Sequence, residues 1–261
     1  MEKFEPKMKL WNGSEFHLLR YLGRHRNELN KAIIRNTNIN SDLDYDMDWI
    51  DFGFWDDTVF DAEYKGISFL PQFDAKLYDE VMKEWIKYWP QTGNPQNWDA
   101  IIHLTPLVPK SKKLDKWIVV EAKAHLGELE STSGAGKESK AKIENAFKET
   151  QNFFGIETKN NWLEKYYQLA NRLAFIHFMQ KNNVDISLLN IYFINGWPND
   201  MKKNVPSKNI WDEKINEEYN YLGINQKAKN YISDLFINCN FAPLKNDWHF
   251  SGSEEDPKKF I

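Results

Sequence analysis

The sequence has few of the features that mark secreted, membrane-bound or strongly basic proteins. Its single cysteine, Cys239, excludes a disulfide within the chain and is typical of a reducing compartment. No apolar run is long enough to span a bilayer, and residues 1–10 lack the apolar core of a signal peptide. The 34 basic and 38 acidic side chains give a net charge of −4, which does not by itself indicate binding to nucleic acid. We therefore expect a soluble, cytoplasmic protein.

Several common catalytic signatures are absent as well. There is no cysteine pair and no His-Glu-x-x-His motif, which argues against a zinc site. Residues 134–137, Gly-Ala-Gly-Lys, lack both the first Gly and the final Ser or Thr of a Walker A phosphate loop. No Gly-x-Ser-x-Gly is present, and Cys239 has no distinctive nucleophile context. The remaining candidates for a functional site are charged residues in apolar surroundings.

A predicted strand that ends in two charged residues is the most informative feature of the sequence. Residues 117–120, Trp-Ile-Val-Val, form an apolar and β-branched run that predicts a buried strand. Because side chains alternate along a strand, Glu121 and Lys123 point to one face, with Ala122 behind them. Such charges are costly to desolvate unless they bind each other, a metal or a substrate. Glu-x-Lys occurs five times in the chain, but Asp61 interrupts the apolar approach to its nearest rival at Glu63.

A second strand candidate lies just upstream, at residues 98–104, and Asp99 stands at its start. The turn-rich residues 94–97 precede it. A connection that contains Pro106, Pro109 and several lysines leads from it to the strand at 117. This arrangement predicts a hairpin with a long loop. In such a hairpin Asp99 would lie beside Glu121 on the neighbouring strand.

These residues, taken together, resemble the PD-(D/E)xK nuclease superfamily, which has the restriction-endonuclease-like fold. Asp99 and the run Glu121-Ala122-Lys123 carry the resemblance, although Trp98 stands where the family usually has Pro. Gln168 and Arg172 add to it, because they are spaced i, i+4 on a predicted helix that a strand follows. In such nucleases a Gln on the helix after the core strands often faces the site, with a basic or aromatic residue one turn later.

The resemblance implies an α/β fold with a mixed central sheet flanked by helices, in the order αβββαβ. The chain would form a single domain over residues 1–261, with the core at about 13–196. An insertion at about 36–97 would separate the first helix from the catalytic strands. Residues from about 197 to 261 would form a C-terminal helical extension.

The resemblance also implies a metal-dependent nuclease that hydrolyses phosphodiester bonds of DNA, with RNA as the second candidate. Carboxylate oxygens suit Mg²⁺ or Mn²⁺, which also accept phosphate as a ligand. The implied metal ligands are Asp99, Glu121, the Ala122 backbone carbonyl and Glu15, for which Glu28 and Glu80 are rivals. Lys123 would orient the attacking water and stabilise charge, and Gln168 would hold the water or the scissile phosphate. The implied substrate contacts are Arg172, His125, Lys112 and Lys113.

Simpler interpretations of the same residues stay open. Asp99 could simply cap a turn. Glu121 and Lys123 could form an ion pair at a sheet edge. Gln168 and Arg172 could be an ordinary pair on a helix surface. The alternative function is a catalytically inactive module that keeps the nuclease fold and binds nucleic acid or protein. The sequence also leaves a homodimer open.

Hydrophobic periodicity and turn signals predict the remaining elements. Helices are predicted at residues 14–35, 74–89, 137–154, 162–180 and 225–238, further strands at 49–55, 58–60 and 188–194, and a loop at 127–136.

Overall fold

The computed structural model describes residues 13–37, 45–50, 64–72, 74–93, 96–107, 115–194 and 206–239, and in them the protein is an α/β fold. The strands are β1 (Tyr45–Ile50), β2 (Tyr64–Lys65), β3 (Asn97–Trp98), β4 (Ala100–Pro106), β5 (Lys116–Lys123), β6 (Asp185–Ile194) and β7 (Ile232–Asn238). The helices are α1 (Ser14–Arg24), α2 (Arg26–Asn36), α3 (Ala75–Tyr88), α4 (Lys137–Phe154), α5 (Tyr167–Lys181), α6 (Lys208–Leu222) and α7 (Gln226–Lys229), with short 3₁₀ helices at Leu70–Gln72 and Leu126–Glu128.

A mixed five-stranded sheet in the order β1-β4-β5-β6-β7 forms the centre of the fold. The pairs β1–β4 and β4–β5 are antiparallel, and the pairs β5–β6 and β6–β7 are parallel. The predicted hairpin is therefore confirmed as β4–β5. Both β5 and β6 are buried along nearly their whole length, which is typical of parallel strands covered by helices on both faces.

The sheet separates two hydrophobic layers, and the alternation along β5 assigns its side chains to them. Ile118, Val120 and Ala122 belong to the layer that holds the buried faces of α1 and α2. Trp117 and Val119 belong to the layer formed with α3, α4, α5 and α6. Side chains two residues apart share a face. Glu121 and Lys123 therefore point into the layer of α5 and α6.

Several predicted helices differ from the structure. The helix predicted at 14–35 is two helices that meet at His25, whose backbone φ of −129° is not helical. The helix predicted at 162–180 begins only at Tyr167, after Tyr166 in the left-handed conformation. The predictions at 74–89 and 137–154 are confirmed as α3 and α4.

The helix predicted at 225–238 is wrong, because this segment contains the short α7 followed by strand β7. Ile232, Leu235 and Phe236 fit a helical spacing, but Leu235 and Ile237 are the positions that are buried, with the period of a strand. Pairing with β6 makes residues 232–238 a strand rather than a helix. The sequence predicted a C-terminal helical extension after about residue 197 but did not locate its first helix. The structure places that helix, α6, at Lys208–Leu222.

Strand β1 begins at Tyr45, earlier than the predicted 49, and pairs with β4 as an edge of the central sheet. The segment 36–97, predicted to be an insertion, therefore contributes a strand to the sheet. The remainder of the strand predicted at 49–55 and the whole of that at 58–60 lie outside the described residues. Among the residues described, no helix is long and apolar enough to cross a membrane.

Candidate functional site

The carboxylate of Glu121 lies at the centre of a cluster of charged and polar side chains that is almost completely buried. Glu121, Lys123 and Arg172 are 6%, 8% and 5% exposed. Lys123 Nζ donates a hydrogen bond to Glu121 Oε1, and Gln168 Nε2 donates to the same oxygen at 2.8 Å. Arg172 donates to Glu121 Oε2 from Nη2 at 2.7 Å and from Nε at 3.1 Å. Four hydrogen bonds therefore occupy both oxygens of one carboxylate.

Helix α5 brings Gln168 and Arg172 to Glu121 from the next layer. The two residues are one turn apart and so lie on the same helix face. The start of this helix is held in place because Ser131 Oγ accepts a hydrogen bond from Gln168 N at 2.8 Å. The sequence prediction that Gln168 and Arg172 face the residues of the Glu-x-Lys strand agrees with this geometry.

Arg172 is held by more than Glu121. Its Nη2 also donates to the Asn97 carbonyl and its Nη1 to Asn171 Oδ1, both at 2.8 Å. The guanidinium carbon lies 4.9 Å from the centre of the Trp98 ring, a distance suited to a cation–π contact. The guanidinium thus connects β3, β5 and α5 around a single positive charge.

A further carboxyl group, Glu218 of α6, faces the same cluster. Glu218 is 3% exposed and lines a cavity of about 20 Å³ together with Glu121, Lys123, Gln168, Arg172 and Asn190. That volume is enough for about one water molecule but not for a nucleotide. Asn190 is paired with Glu121 across β5–β6, and it donates to Asp234 Oδ1 on β7 at 3.0 Å. A row of polar groups therefore crosses three strands beneath α6.

The two buried glutamates respond to their surroundings in opposite directions. Burial would raise the pKa of Glu121, but the charges and hydrogen bonds of Arg172 and Lys123 outweigh it and hold the pKa below its ordinary value. Burial raises the pKa of Glu218 to about 8, although the nearby charge of Lys123 acts to lower it. At neutral pH the cluster therefore contains one ionised glutamate, Glu121, and one that is largely protonated, Glu218.

Asp99 lies beside Glu121, where the hairpin register had predicted it, but its carboxylate makes a backbone contact. Ala100 pairs with Val120, which places Asp99 next to Glu121 at the end of the ladder. Asp99 Oδ2 accepts a hydrogen bond from the Ala122 N–H at 2.6 Å, and Asp99 N donates to the Val120 carbonyl at 3.2 Å. Asp99 thus extends the β4–β5 pairing by one step with its side chain.

Two of the other predicted site residues, Glu15 and His125, lie among the described residues. Glu15 is on α1, which packs on the opposite layer of the sheet. His125 lies at the start of the 3₁₀ helix Leu126–Glu128, where its Nε2 is 3.7 Å from Glu128 Oε1. Lys112 and Lys113 fall outside the described residues.

The arrangement does not fit a bound divalent ion as it stands. Within the described ranges there is no group of three or more His, Cys, Asp or Glu side chains placed to hold a metal. Asp99 and Glu121 supply the oxygen chemistry that Mg²⁺ or Mn²⁺ prefers. However, the two oxygens of Glu121 already accept four hydrogen bonds. At least one of these bonds would have to break before an ion could bind the carboxylate.

Two glutamates of this region were not identified from the sequence. Glu128 accepts from Ser14 Oγ at 2.7 Å and from the backbone N–H groups of Ala124 and His125 at 2.6 and 3.0 Å, which ties the start of α1 to the end of β5. A signal for Glu218 was present, since it lies in register with the buried Trp211, Ile215 and Leu222 at helical spacing. A carboxylate on such an apolar stripe is itself an indication of a polar site.

No protein-family model matches this sequence, and comparisons with curated proteins and with solved structures gave no match either.

Proposed function

We propose that the protein is a divalent-metal-dependent nuclease that hydrolyses phosphodiester bonds, with DNA as the first candidate substrate and RNA as the second. One observation carries the proposal. Glu121, Lys123, Gln168 and Arg172 come from a strand and a helix distant in sequence and meet at one buried carboxylate, with Asp99 on the adjoining strand. The resemblance to PD-(D/E)xK nucleases implies the same set of residues.

The order of elements supports the proposal. In chain order, helices α1 and α2 come before the antiparallel strands β1, β4 and β5, and helices α4 and α5 come before the parallel strand β6. This succession supports the order αβββαβ that the resemblance implies. The described chain also has β2, α3 and β3 between β1 and β4, and α6, α7 and β7 after β6.

The energetics of the cluster also favour a functional role. Replacing a buried ion pair by well-packed apolar side chains is often neutral or stabilising, so such a pair is weak evidence for a role in stability. Titratable groups with strongly shifted pKa values that surround a cavity are candidates for chemistry. Glu121 forms the buried ion pairs with Lys123 and Arg172 and lines the cavity. Glu218 lines the same cavity, and its pKa is raised to about 8.

The cationic residues of the cluster suit the charge that develops on a phosphate during hydrolysis. Lys123 and Arg172 would stabilise negative charge on its oxygens, and the amide of Gln168 would orient a water or a phosphate oxygen. A bound divalent ion would supply an activated water and further charge stabilisation.

A second candidate function is a nuclease-like module that binds nucleic acid without cleaving it. The observation in its favour is that hydrogen bonds occupy both carboxylate oxygens of Glu121, where an ion would have to bind. Asp99 also accepts a hydrogen bond from the Ala122 N–H. In this case Lys123 and Arg172 would contact phosphate and Glu121 would only orient them.

Cleavage assays separate the two candidates. Plasmid, single-stranded DNA, structured DNA and RNA are incubated with the protein in Mg²⁺ or Mn²⁺. We expect cleavage of at least one substrate, and a loss of about 100-fold or more in Lys123→Ala, the size typical for removal of one group that stabilises transition-state charge. Lys87→Ala is the control, since its ion pair with Glu84 is on the surface. Equal cleavage by wild type and Lys123→Ala would contradict a role for this site, and binding without cleavage by folded wild type would favour the second candidate.

Replacement of Asp99 separates its backbone contact from its role as a metal ligand. Asp99→Asn keeps an oxygen that can accept from the Ala122 N–H, so we expect the folded structure to persist. The loss of negative charge should weaken Mn²⁺ binding at least about 10-fold, the low end for loss of a metal-site group. Isothermal titration with Mn²⁺ measures the change, and circular dichroism verifies the fold. Unchanged Mn²⁺ affinity would remove Asp99 from the metal centre.

A further inference from the structure

A cleft of about 520 Å³ lies between the end of helix α3 and the start of helix α4, and we call it the α3–α4 cleft. Trp89 and Pro90 line it on the α3 side, and residues 133–136 line it on the α4 side. The cavity at the buried Glu121 cluster measures only about 20 Å³. Pockets that bind small ligands generally measure about 300–1,000 Å³, so the α3–α4 cleft has room for a group the size of a nucleotide.

Both walls of the α3–α4 cleft are held in place by contacts with the rest of the fold. Trp89 is buried and stacks on Trp85 at a distance of 6.0 Å between ring centres. On the opposite wall, Ser133 N donates a hydrogen bond to the Leu163 carbonyl at 2.8 Å, and Ser133 Oγ accepts one from Ala135 N at 3.3 Å. The cleft is therefore preformed, and a ligand can enter it without the cost of ordering its walls.

The described side chains that line the α3–α4 cleft are all uncharged. This disfavours an anion or a metal ion as the ligand, because phosphates bind cationic side chains and divalent ions bind carboxylates. The hydroxyl groups of Thr92, Ser133 and Ser139 offer hydrogen bonds, and Trp89 and Tyr167 offer aromatic surface. A matching ligand is neutral, flat and polar at its edge. A nucleobase has this chemistry, because its faces stack on aromatic rings and its edge carries donors and acceptors.

Helix α5 connects the α3–α4 cleft to the cluster around Glu121. Tyr167, the first residue of this helix, is half-buried and lines the cleft. Burial raises the pKa of Tyr167, although hydrogen bonding with the side chains of Ser133 and Asn171 acts to lower it. Asn171 Oδ1 in turn accepts a hydrogen bond from Arg172 Nη1 at 2.8 Å. A base seated against Tyr167 would therefore lie close to the residues of the proposed catalytic centre.

We propose that the α3–α4 cleft binds one unpaired nucleobase of the nucleic acid on which the protein acts. The inference rests on the proposed function and deepens it, because it assigns the form of the substrate. That substrate is a single strand, or a duplex from which one base has been turned out, since a base inside a duplex is stacked and paired and does not reach such a cleft. Stacking of one base on an aromatic side chain changes affinity by about 5- to 150-fold.

The test compares two ligands that differ only in their bases. Fluorescence anisotropy measures the binding of labelled oligothymidylate and of an abasic oligonucleotide with the same length and the same phosphates. Both are titrated in EDTA and again in Ca²⁺, so that the result does not depend on cleavage. We expect wild type to bind oligothymidylate at least about 5-fold more tightly than the abasic ligand, the lower end for stacking of one base.

Gly134→Leu should remove this preference by occupying the α3–α4 cleft. A Cβ atom at Gly134 would meet no atom within 4 Å, and the backbone there does not require a glycine, so we expect the fold to persist. The ratio of the two affinities should fall to less than about 2-fold, below the range for one stacked base. Gly23→Leu is the matched control, because Gly23 also has open space around it but lies on α1. It should keep the wild-type ratio.

Two variants of Tyr167 examine the aromatic surface itself. Tyr167→Leu should lower the ratio as Gly134→Leu does, whereas Tyr167→Phe keeps the ring and should keep the ratio. Circular dichroism verifies the fold of each variant. If Gly134→Leu does not fold, Ser139→Leu replaces it, since Ser139 lines the same cleft from the first turn of α4.

The outcomes distinguish this inference from the proposed function. If wild type binds the two ligands equally, or if the folded Gly134→Leu protein keeps the wild-type ratio, base binding in the α3–α4 cleft is overturned while a nuclease that acts on paired DNA can stand. If wild type neither binds nor cleaves any nucleic acid, the inference and the proposed function fall together.

Discussion

Glu121→Gln is expected to lower the free energy of unfolding by about 3–5 kcal/mol, the range for breaking a buried ion pair by removing one partner. The substitution leaves Lys123 and Arg172 as two buried cations without their shared anion. Gln cannot replace the carboxylate, because its amide nitrogen is a donor and would face other donors. Equilibrium unfolding in urea, monitored by circular dichroism, measures the change.

Glu84→Gln is the matched control for this prediction, because it removes the carboxylate of a pair that lies on the surface of α3. Lys87 Nζ is 2.6 Å from Glu84 Oε1, and the side chains are 70% and 53% exposed. The loss there should be only about 0–1 kcal/mol. A double variant, Glu121→Gln with Arg172→Leu, removes one of the two unpaired cations and should recover part of the loss. Equal losses at Glu121 and Glu84 would show that the buried cluster is more hydrated than its contacts indicate.

The ionisation of Glu218 should contribute a loss of stability to the wild-type protein as pH rises from about 4.5 to about 8. Burial raises the pKa of this group from 4.5 to about 8 in the folded protein. Between these values the folded state holds a proton that the unfolded state has lost, so raising the pH favours unfolding. The stabilisation that the Glu218 proton provides is fully present below pH 4.5. It decreases by about 1.4 kcal/mol for each pH unit between there and about pH 8.

Glu218→Gln should remove this part of the pH dependence, because the amide does not ionise. The charged groups that affect Glu218 are Lys123, Asp234 and Glu121, and all three remain in the variant. Glu217→Gln is the control, since Glu217 is an exposed neighbour on α6 that pairs with Lys214 at 2.8 Å. It should keep the wild-type pH profile. The measurement is urea unfolding at a series of pH values from 4 to 9, and parallel profiles for wild type and Glu218→Gln would contradict the prediction.

The part of the candidate site that could be predicted from the sequence is the part determined by local periodicity. The apolar run before Glu121 predicted a buried strand, and the period of two placed Glu121 and Lys123 on one face. The spacing of Gln168 and Arg172 placed both on one face of α5. Turn signals predicted the antiparallel neighbour that brings Asp99 beside Glu121. Each of these inferences needs only a few consecutive residues.

What could not be predicted depends on partners that are distant in the chain. Strand β7 has an apolar spacing that fits either a helix or a strand, and only its pairing with β6 resolves the choice. Glu218 reaches the cluster because α6 returns over the sheet, which no local pattern shows. The engagement of both Glu121 oxygens by three donor side chains is likewise a property of the packed structure and not of Glu-x-Lys spacing.

The alternation along β5 has a consequence for how this chain can change. Its odd-numbered positions contribute Glu121 and Lys123 to the charged cluster, whereas its even-numbered positions, such as Val120 and Ala122, contact the layer of α1 and α2. Substitutions on the α1–α2 side can therefore accumulate through compensating changes in volume among apolar residues. The α1–α2 layer can therefore diverge in sequence while the chemistry on the opposite face of the sheet stays the same.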